Sequence, residues 1–353
     1  MSGIAFAIPG DIDLPTGGYA YDRRLLQEWR QAGIPARHLA LPGFFPFPGE
    51  ADIAATEALL ASAAPGETLL IDGLAFGAFP EELARRFGDR IVALVHHPLA
   101  LETGLSGPQE EALRASERAA LRHARAVIVT SPPTKDILVS DFGVPEQSVA
   151  IAIPGTDPAP RTLARAATET VRLLAVGSLI PRKGYEVLLA ALATIADRPW
   201  HLTIAGSPDH APATAASLQQ TVAGQGWSQR VAFAGAVDAE RLDTLYATAD
   251  IFVMPSLYEG YGMVLTEALA RGLPIVCSRR GAGAEALPEA AALKTPPGDV
   301  AALAKALATL IDAPSERIAR ADAAWAGAAA LPRWRDTART VAEACLGAGA
   351  RMN

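Results

Sequence analysis

Two glutamates in the second half of the chain have the spacing of a ligand-binding pair. Glu259 and Glu267 are separated by seven residues, and Gly260 and Gly262 between them have no side chains. Eight residues at helical rise span roughly 12 Å, whereas the two carboxylates of a glycoside hydrolase flank one bond at about 5 to 10 Å. The two glutamates therefore suit the opposite ends of one elongated ligand better than the two sides of a single bond.

The elements that position these glutamates form a strand, loop, helix, strand unit. Strand patterns cover Ile251 to Met254 and Ile275 to Ser278, and a helix pattern covers Met263 to Arg271 between them. In a parallel sheet, ligands bind where strands end and helices begin. The backbone N–H groups of the glycines and the positive N-terminal end of the helix can bind a phosphate at this point. The unit fits a sugar nucleotide, and an amphipathic helix with solvent-facing glutamates is the plainer alternative.

The same stretch carries a resemblance to a known family. The segment EGYGMVLTEALARGLPIV, residues 259–276, closely resembles the signature of the group 1, family 4 retaining glycosyltransferases of the GT-B fold. The resemblance implies an α/β protein of two Rossmann-like domains, whose parallel sheets face each other across a cleft. It implies that Glu259 holds the donor sugar and Glu267 the ribose. The donor-binding positions that it adds within the motif are Gly260, Tyr261, Gly262, Met263 and Val264.

Two cations follow another strand pattern, at a predicted strand-to-helix corner. Arg182 and Lys183 come shortly after Gly177, and two fixed cations would neutralise a departing diphosphate. A solvated surface pair is the alternative. The family has an arginine directly after the first glycine, where this chain has Ser178, so we expect Arg182 to supply the second cation. The resemblance also places Gly206, at the next strand end, beside the donor.

Further candidates lie at strand ends in the first half of the chain. A long loop ends in Gly17 and Gly18 directly before a helix pattern, where bare backbone can approach a phosphate or the acceptor. His96 and His97 follow the strand pattern VALV, and Asp72 follows LLI. The resemblance assigns His96 to a donor hydroxyl near the reacting carbon, whereas His97 and Asp72 are candidates for the acceptor side, with structural packing and helix capping as their alternatives. Weaker acceptor-side candidates are Asp13 and Tyr19.

The first half alternates strand and helix patterns throughout, as a Rossmann-like parallel sheet requires. The predicted strands are Ile4 to Ile8, His38 to Leu41, Thr68 to Ile71, Ile91 to Val95, Ala126 to Thr130 and Ser148 to Ile153. The predicted helices include Tyr19 to Ala32, Ile53 to Ala63, Pro80 to Arg86, Gln109 to His123 and Thr134 to Phe142. Three phenylalanines in the loop LPGFFPFPGEAD are interpreted as buried anchors, with an apolar lip for acceptor or membrane as the alternative.

The length bounds the domain organisation. With 353 residues, the chain exceeds one ordinary core, and two domains of about 150 to 180 residues are expected. We place an acceptor-side domain at residues 1–160 and a nucleotide-sugar domain at 168–330. The family's pattern predicts that a last helix, about 333–348, crosses back to the first domain. The tail Gly347 to Asn353 is expected to be frayed.

The net charge and the cysteines limit the kinds of partner and metal site that are expected. The net charge of −7, without a basic block, argues against nucleic acid and does not indicate an anionic membrane, although contact with one stays open. The two cysteines, Cys277 and Cys345, have no metal-ligand spacing and are predicted to be buried. No signal peptide or membrane span is recognisable, which favours a cytoplasmic location.

The resemblance implies a retaining hexosyltransferase that needs no metal, and it favours a UDP- or GDP-sugar as the donor. The acceptor, whether glycan, lipid or small metabolite, is not readable from the sequence. A GT-B sugar-nucleotide epimerase and a non-enzymatic two-domain sugar-binding protein are the alternatives. The catalytic candidates are His96, Arg182, Lys183 and Glu259, and no metal ligand is predicted.

Replacing Lys183 by alanine should lower turnover by on the order of 10²-fold, the effect of losing one group that stabilises developing charge. Glu267→Ala should weaken donor binding. Steady-state kinetics with the donor as varied substrate measure both effects, and wild-type turnover in the Lys183 variant would refute the role assigned to this lysine.

Overall fold

The computed structural model describes residues 3–102, 104–162 and 169–347. It divides the chain into two compact units, Met1–Gly155 with Pro332–Asn353, and Thr156–Leu331. The start predicted for the second domain, residue 168, and the tail after residue 347 lie outside the described residues.

The first unit is built on a parallel sheet with the strand order β2-β1-β3-β4-β5-β6. Its strands are β1 (Ile4–Pro9), β2 (Ala36–Leu41), β3 (Thr68–Asp72), β4 (Ile91–Val95), β5 (Ala126–Val129) and β6 (Val149–Ile151). Its helices in this part of the chain are α1 (Gly17–Ala32), α2 (Glu50–Ala61), α3 (Gly73–Phe76), α4 (Glu81–Phe87), α5 (Gly107–Leu121) and α6 (Pro132–Ser140). All six strands predicted for the first half are present, whereas the short helix α3 was not predicted.

The second unit repeats this architecture with the strand order β12-β11-β10-β7-β8-β9. Its strands are β7 (Val171–Val176), β8 (Trp200–Ala205), β9 (Val231–Gly235), β10 (Ile251–Met254), β11 (Ile275–Ser278) and β12 (Ala292–Thr295). Its helices are α7 (Tyr185–Ala193), α8 (Pro212–Gly224), α9 (Ala239–Thr248), α10 (Met263–Ala270), α11 (Ala282–Ala286), α12 (Val300–Asp312) and α13 (Pro314–Gly327).

The sheets are covered on both faces, which explains the near-continuous apolar runs of the central strands. In β7, Leu173 and Ala175 belong to one core cluster, whereas Leu174 belongs to a second. Side chains alternate between the faces of a strand, so helices pack on each side of this sheet. In such a sheet the polar, chemistry-bearing residues collect in the loops at the strand ends.

The last helix, α14 (Trp334–Leu346), packs on the first unit. The Trp29 indole N–H donates to the Ala338 carbonyl at 2.9 Å. The Thr68 hydroxyl donates to the Cys345 carbonyl at 2.8 Å. Both cysteines are buried and unpaired, as predicted. No helix among the described residues is long and apolar enough to cross a bilayer.

The interpretation of the phenylalanine-rich loop as buried anchors is wrong for two of its three aromatic residues. Phe45 is buried and packs against Phe79, but Phe44 is 70% exposed and Phe47 is 53% exposed. The loop turns back on itself, with the Phe47 N–H donating to the Phe44 carbonyl at 2.9 Å. This turn buries only the aromatic ring of Phe45.

A buried carboxyl group in the first unit should make the stability of the protein depend on pH. Glu117, on α5, is almost fully buried, and its Oε2 accepts from the Leu99 N–H at 2.9 Å. Burial raises the pKa of Glu117 to about 8, although this hydrogen bond and Arg114 act in the opposite direction.

Between about pH 5 and pH 8 the folded protein therefore keeps a proton on Glu117 that the unfolded chain releases, so stability falls as the pH rises through this window, by up to about 1.4 kcal/mol per pH unit. Glu117→Gln cannot titrate at this position. Its free energy of unfolding should therefore rise relative to that of the wild type as the pH increases through this window. Thermal unfolding at several pH values measures the difference. The exposed Glu111→Gln on the same helix is the control, and a pH-independent difference for Glu117→Gln would contradict the prediction.

Candidate active site

The predicted cations and the first glutamate of the motif converge on one ion cluster in the second unit. Lys183 Nζ lies 2.6 Å from Glu259 Oε2, and an Arg182 guanidinium nitrogen lies 3.1 Å from Glu259 Oε1. The Ser256 hydroxyl lies 3.2 Å from Oε2. The three charged side chains are only 10 to 16% exposed, so they interact in a poorly hydrated environment. We call Arg182, Lys183 and Glu259 the ion cluster.

The ion cluster keeps Glu259 charged. Burial alone would raise the pKa of its carboxyl, but Lys183 and Arg182 outweigh burial and lower the pKa to about 2. At neutral pH this carboxylate is thus a fixed anion that neither takes up a proton nor gives one. Because both cations already neutralise it, it is also a weak nucleophile.

Two loops from neighbouring strands hold the ion cluster together. Arg182 and Lys183 lie in a 3-10 turn that follows β7. The turn ends at Gly184, which has a left-handed backbone conformation with φ of 68°. A Cβ on Gly184 would lie 2.2 Å from the Pro255 carbonyl oxygen of the loop after β10. The Leu257 N–H of that loop donates to the Arg182 carbonyl at 2.8 Å. Since β7 and β10 are adjacent strands, the loops that follow them bring residues distant in sequence together at the carboxyl ends of these strands.

Gly177 and Gly206 mark the ends of β7 and β8 and pack backbone against backbone. A Cβ on Gly206 would lie 1.9 Å from the Gly177 carbonyl oxygen. A Cβ on Gly177, where φ is 148°, would lie 2.9 Å from Lys183 Cε. Close packing against backbone therefore requires glycine at position 206, whereas the positive φ favours glycine at position 177, where the aliphatic part of Lys183 lies across it.

The rest of the motif forms the loop before α10 and its first turn. Gly262 adopts φ of 82° and precedes the helix, and the Gly283 N–H at the start of α11 donates to the Tyr261 carbonyl at 2.8 Å. Tyr261 is buried, whereas the other predicted donor-binding residues here, Gly260, Gly262, Met263 and Val264, are half-buried. The loop is thus held between the ion cluster and α11, and its residues at the helix start are half-buried.

Glu267, the second glutamate of the motif, is held by a residue that the sequence did not single out. The Tyr246 hydroxyl donates to Glu267 Oε2 at 3.0 Å, and the Arg271 guanidinium lies 4.4 Å from the centre of the Tyr246 ring. Burial raises the pKa of Glu267, and the Tyr246 hydrogen bond acts in the opposite direction. Tyr246 lies on α9, fully buried, and no pattern in the sequence links it to a glutamate on another helix.

In the first unit, the predicted residues form a second group. Gly17 and Gly18 are the first residues of α1, and His96 directly follows β4. A Cβ on Gly18 would lie 3.4 Å from His96 Cδ2. His96 Nε2 lies 3.1 Å from Asp22 Oδ1 and 3.5 Å from Asp72 Oδ2, and the sequence reading missed Asp22 because it sits inside a helix pattern.

Three of the four acceptor-side candidates, Asp72, Tyr19 and His97, have structural partners. Asp72 caps α3, accepting from the Leu74 N–H at 2.7 Å. The Tyr19 hydroxyl donates to the Pro9 carbonyl at 2.7 Å. His97 lies 4.0 Å from the Glu102 carboxylate, and Asp13 is exposed. Among the described residues, the one group of three acidic or histidine side chains arranged to hold a metal ion is Asp22, Asp72 and His96.

Two family models match the chain, and together they cover most of it. "Glycosyl transferases group 1" matches residues 170–313, the part that contains the ion cluster and Glu267. "Glycosyl transferase 4-like domain" matches residues 11–155, which include Gly17, Gly18 and His96. The chain belongs to the group 1 glycosyltransferases. The recognition made from the residue 259–276 motif is thereby confirmed.

Individual relatives agree with this assignment. The chain is 33% identical over 176 residues to mannosylfructose-phosphate synthase of Agrobacterium fabrum, which covers 45% of this chain and 39% of that enzyme. The chain thus spans well under two thirds of the length of this curated relative.

Solved structures identify the fold as GT-B, as predicted. Sucrose-phosphate synthase from Thermosynechococcus elongatus has a TM-score of 0.79 at 22% identity, covering 96% of this chain and 98% of that one. Anabaena Alr3699/HepE in complex with UDP-glucose has a TM-score of 0.74 at 18% identity, with the same coverage. At these identities the likeness concerns the fold.

Tyr246→Phe tests whether the position of Glu267 matters for ligand binding by this glycosyltransferase. Losing one hydroxyl hydrogen bond should weaken nucleoside diphosphate binding about 3- to 10-fold, since such a bond contributes about 0.5 to 1.5 kcal/mol. Calorimetric titration measures the affinity. Tyr19→Phe, which removes a buried hydroxyl bond in the other unit, should leave it unchanged, and equal losses in the two variants would indicate general loosening instead.

Proposed function

We propose that this glycosyltransferase moves a hexose from a UDP- or GDP-sugar to an acceptor hydroxyl, with retention at the anomeric carbon and without a metal ion. The observation that carries the proposal is the ion cluster: two cations held on one carboxylate, which lies in the loop before α10. Its net charge is positive, which favours the binding of a diphosphate at this sheet edge.

The capacity of Glu259 for hydrogen bonds supports its role at the sugar. A carboxylate offers about four lone-pair positions. Lys183 and Ser256 approach Oε2, and Arg182 approaches Oε1. One position on Oε1 is left over, which suits a single donating hydroxyl of the sugar. Glu267, held by Tyr246, would accept from the ribose hydroxyls.

The electrostatics of the ion cluster favour departure of the diphosphate. In the proposed reaction the bond between the anomeric carbon and the phosphate oxygen breaks, and a bond from the acceptor oxygen forms on the same face of the sugar. The acceptor proton passes to the departing phosphate oxygen. Lys183 and Arg182 stabilise the negative charge that develops on that group. Because the pKa of Glu259 is about 2, we assign this residue to binding and not to proton transfer or nucleophilic attack.

A thermal-shift screen over nucleotide sugars, started with UDP-glucose because HepE was crystallised with it, tests donor binding. We expect one UDP- or GDP-sugar to raise the unfolding temperature of the wild type and of Lys305→Met, an exposed lysine of the same unit. Lys183→Met should show little or no shift. Equal shifts in both lysine variants, or none with any nucleotide sugar, would contradict the proposal.

Mass spectrometry of glycan, lipid and small-metabolite fractions incubated with the best donor then identifies the acceptor. Retention predicts that the anomeric configuration of the donor is kept in the product, as read by NMR, and activity should survive chelation of divalent cations. Inverted configuration or loss of activity on chelation would contradict those parts of the proposal. A sugar altered by the enzyme with donor alone would indicate an epimerase.

A further inference from the structure

A cleft of about 350 Å³ lies in the second unit, at the amino-terminal halves of β7 and β8. Arg172 and Leu174 of β7 and His201 and Thr203 of β8 line it on one side, and Leu245 of α9 lines it on the other. Ligand pockets in proteins measure about 300 to 1,000 Å³, so this cleft is large enough for a small molecule.

The polar side chains of the cleft lie on one face of the sheet. β7 and β8 are parallel neighbours in which Arg172 is paired with His201 and Leu174 with Thr203. Side chains two positions apart in a strand point to the same face, so Arg172, His201 and Thr203 share one. Helix α9 covers this face at Leu174, which packs in the same core cluster as Leu245. Beside that cover, Arg172 is exposed and His201 and Thr203 are half-buried, so a ligand can reach all three.

Basic side chains dominate the charge of the cleft. Within the part of the chain that the structure describes, neither Arg172 nor His201 forms an ion pair, and the buried Asp250 accepts from the Arg172 backbone N–H at 2.8 Å. The Arg230 guanidinium is fixed nearby, 3.7 Å from the centre of the Trp200 ring, and donates to two backbone carbonyls at 2.6 and 2.7 Å. Burial lowers the pKa of His201, and the positive charges of Arg172 and Arg230 lower it further. An anion bound beside these groups would relieve their mutual repulsion.

The cleft is separate from the ion cluster. Arg172 lies near the amino end of β7, whereas Gly177, which the Lys183 side chain crosses, directly follows the carboxyl end of the same strand. Five positions of a strand span about 17 Å. A diphosphate that contacts Lys183 therefore does not reach Arg172, and a ligand of the cleft is a second molecule.

We propose that this cleft binds the phosphate group of a small metabolite, with Arg172, His201 and Thr203 as its hydrogen-bond donors. A guanidinium has five N–H donors in a planar fork that matches phosphate oxygens. Among the described residues, the Thr203 hydroxyl has no hydrogen-bond partner, so it is available to a ligand. The apolar part of the lining, from Leu174 and Leu245, suits the carbon skeleton of a metabolite. This site does not depend on the proposed transfer of a hexose, because none of these residues belongs to the ion cluster.

NMR titration of protein labelled with 15N histidine tests binding at the site itself, with the His201 signals assigned by comparison with His201→Gln. Inorganic phosphate and glycerol 3-phosphate, each added at constant pH, should shift these signals in a saturable way. Arg172→Met should weaken the binding of both about 10-fold or more, because a charged hydrogen-bond donor is lost. Arg241→Met removes an exposed arginine of α9 and should leave both titrations unchanged.

Three results would overturn the site: shifts that grow linearly without saturation, equal shifts when sodium chloride is added instead, or unchanged binding in Arg172→Met. Saturable binding of phosphate without binding of glycerol 3-phosphate would overturn the assignment to a metabolite. The readout is His201 and requires no turnover. Should no nucleotide sugar be used by the protein, the proposed function fails while the titration still decides whether the cleft binds phosphate.

Discussion

The salt bridges between Glu259 and the pair Lys183 and Arg182 are the interaction on which the candidate donor site depends. They join the loop after β7 to the loop after β10, and the missing side chains of Gly177 and Gly184 allow the close approach. Breaking a buried ion pair by removing one partner costs about 3 to 5 kcal/mol, because the other charge is left uncompensated. The same residues therefore bear on local folding and on the proposed binding of a diphosphate.

The two units use ionisable groups in opposite ways. In the second, two cations lower the pKa of Glu259, which stays charged over the whole physiological range. In the first, two aspartates share one histidine, and burial raises the pKa of Asp22. One arrangement holds two cations on one carboxylate, and the other holds one histidine between two buried carboxyl groups. Both arise at strand ends of a parallel sheet, where the buried strands give way to loops that carry polar residues.

The sequence predicts the fold well because parallel strands that are buried on both faces leave unmistakable apolar runs, which glycine and proline interrupt. Ile91–Val95 and Ile251–Met254 match the observed strands at both ends. Local patterns of this kind depend on nearby residues alone. The motif from Glu259 to Glu267 is likewise contiguous and therefore recognisable.

What the sequence does not reveal depends on contacts between distant segments. Glu259 meets Lys183 because β7 and β10 are neighbours in the sheet, although the two residues are 76 positions apart in the sequence. Tyr246 and Asp22 lie within ordinary helix patterns. Only the packing of the fold brings Tyr246 to Glu267 and Asp22 to His96. The exposure of Phe44 is equally a matter of how one loop turns, which composition does not predict.

A crystal structure of the protein with UDP or GDP bound is the most direct test of the account. We expect diphosphate oxygens within hydrogen-bond distance, about 3.2 Å or less, of Lys183 and Arg182, and contacts from the ribose hydroxyls to Glu267. A nucleotide bound away from these three side chains, with the ion cluster untouched, would contradict it.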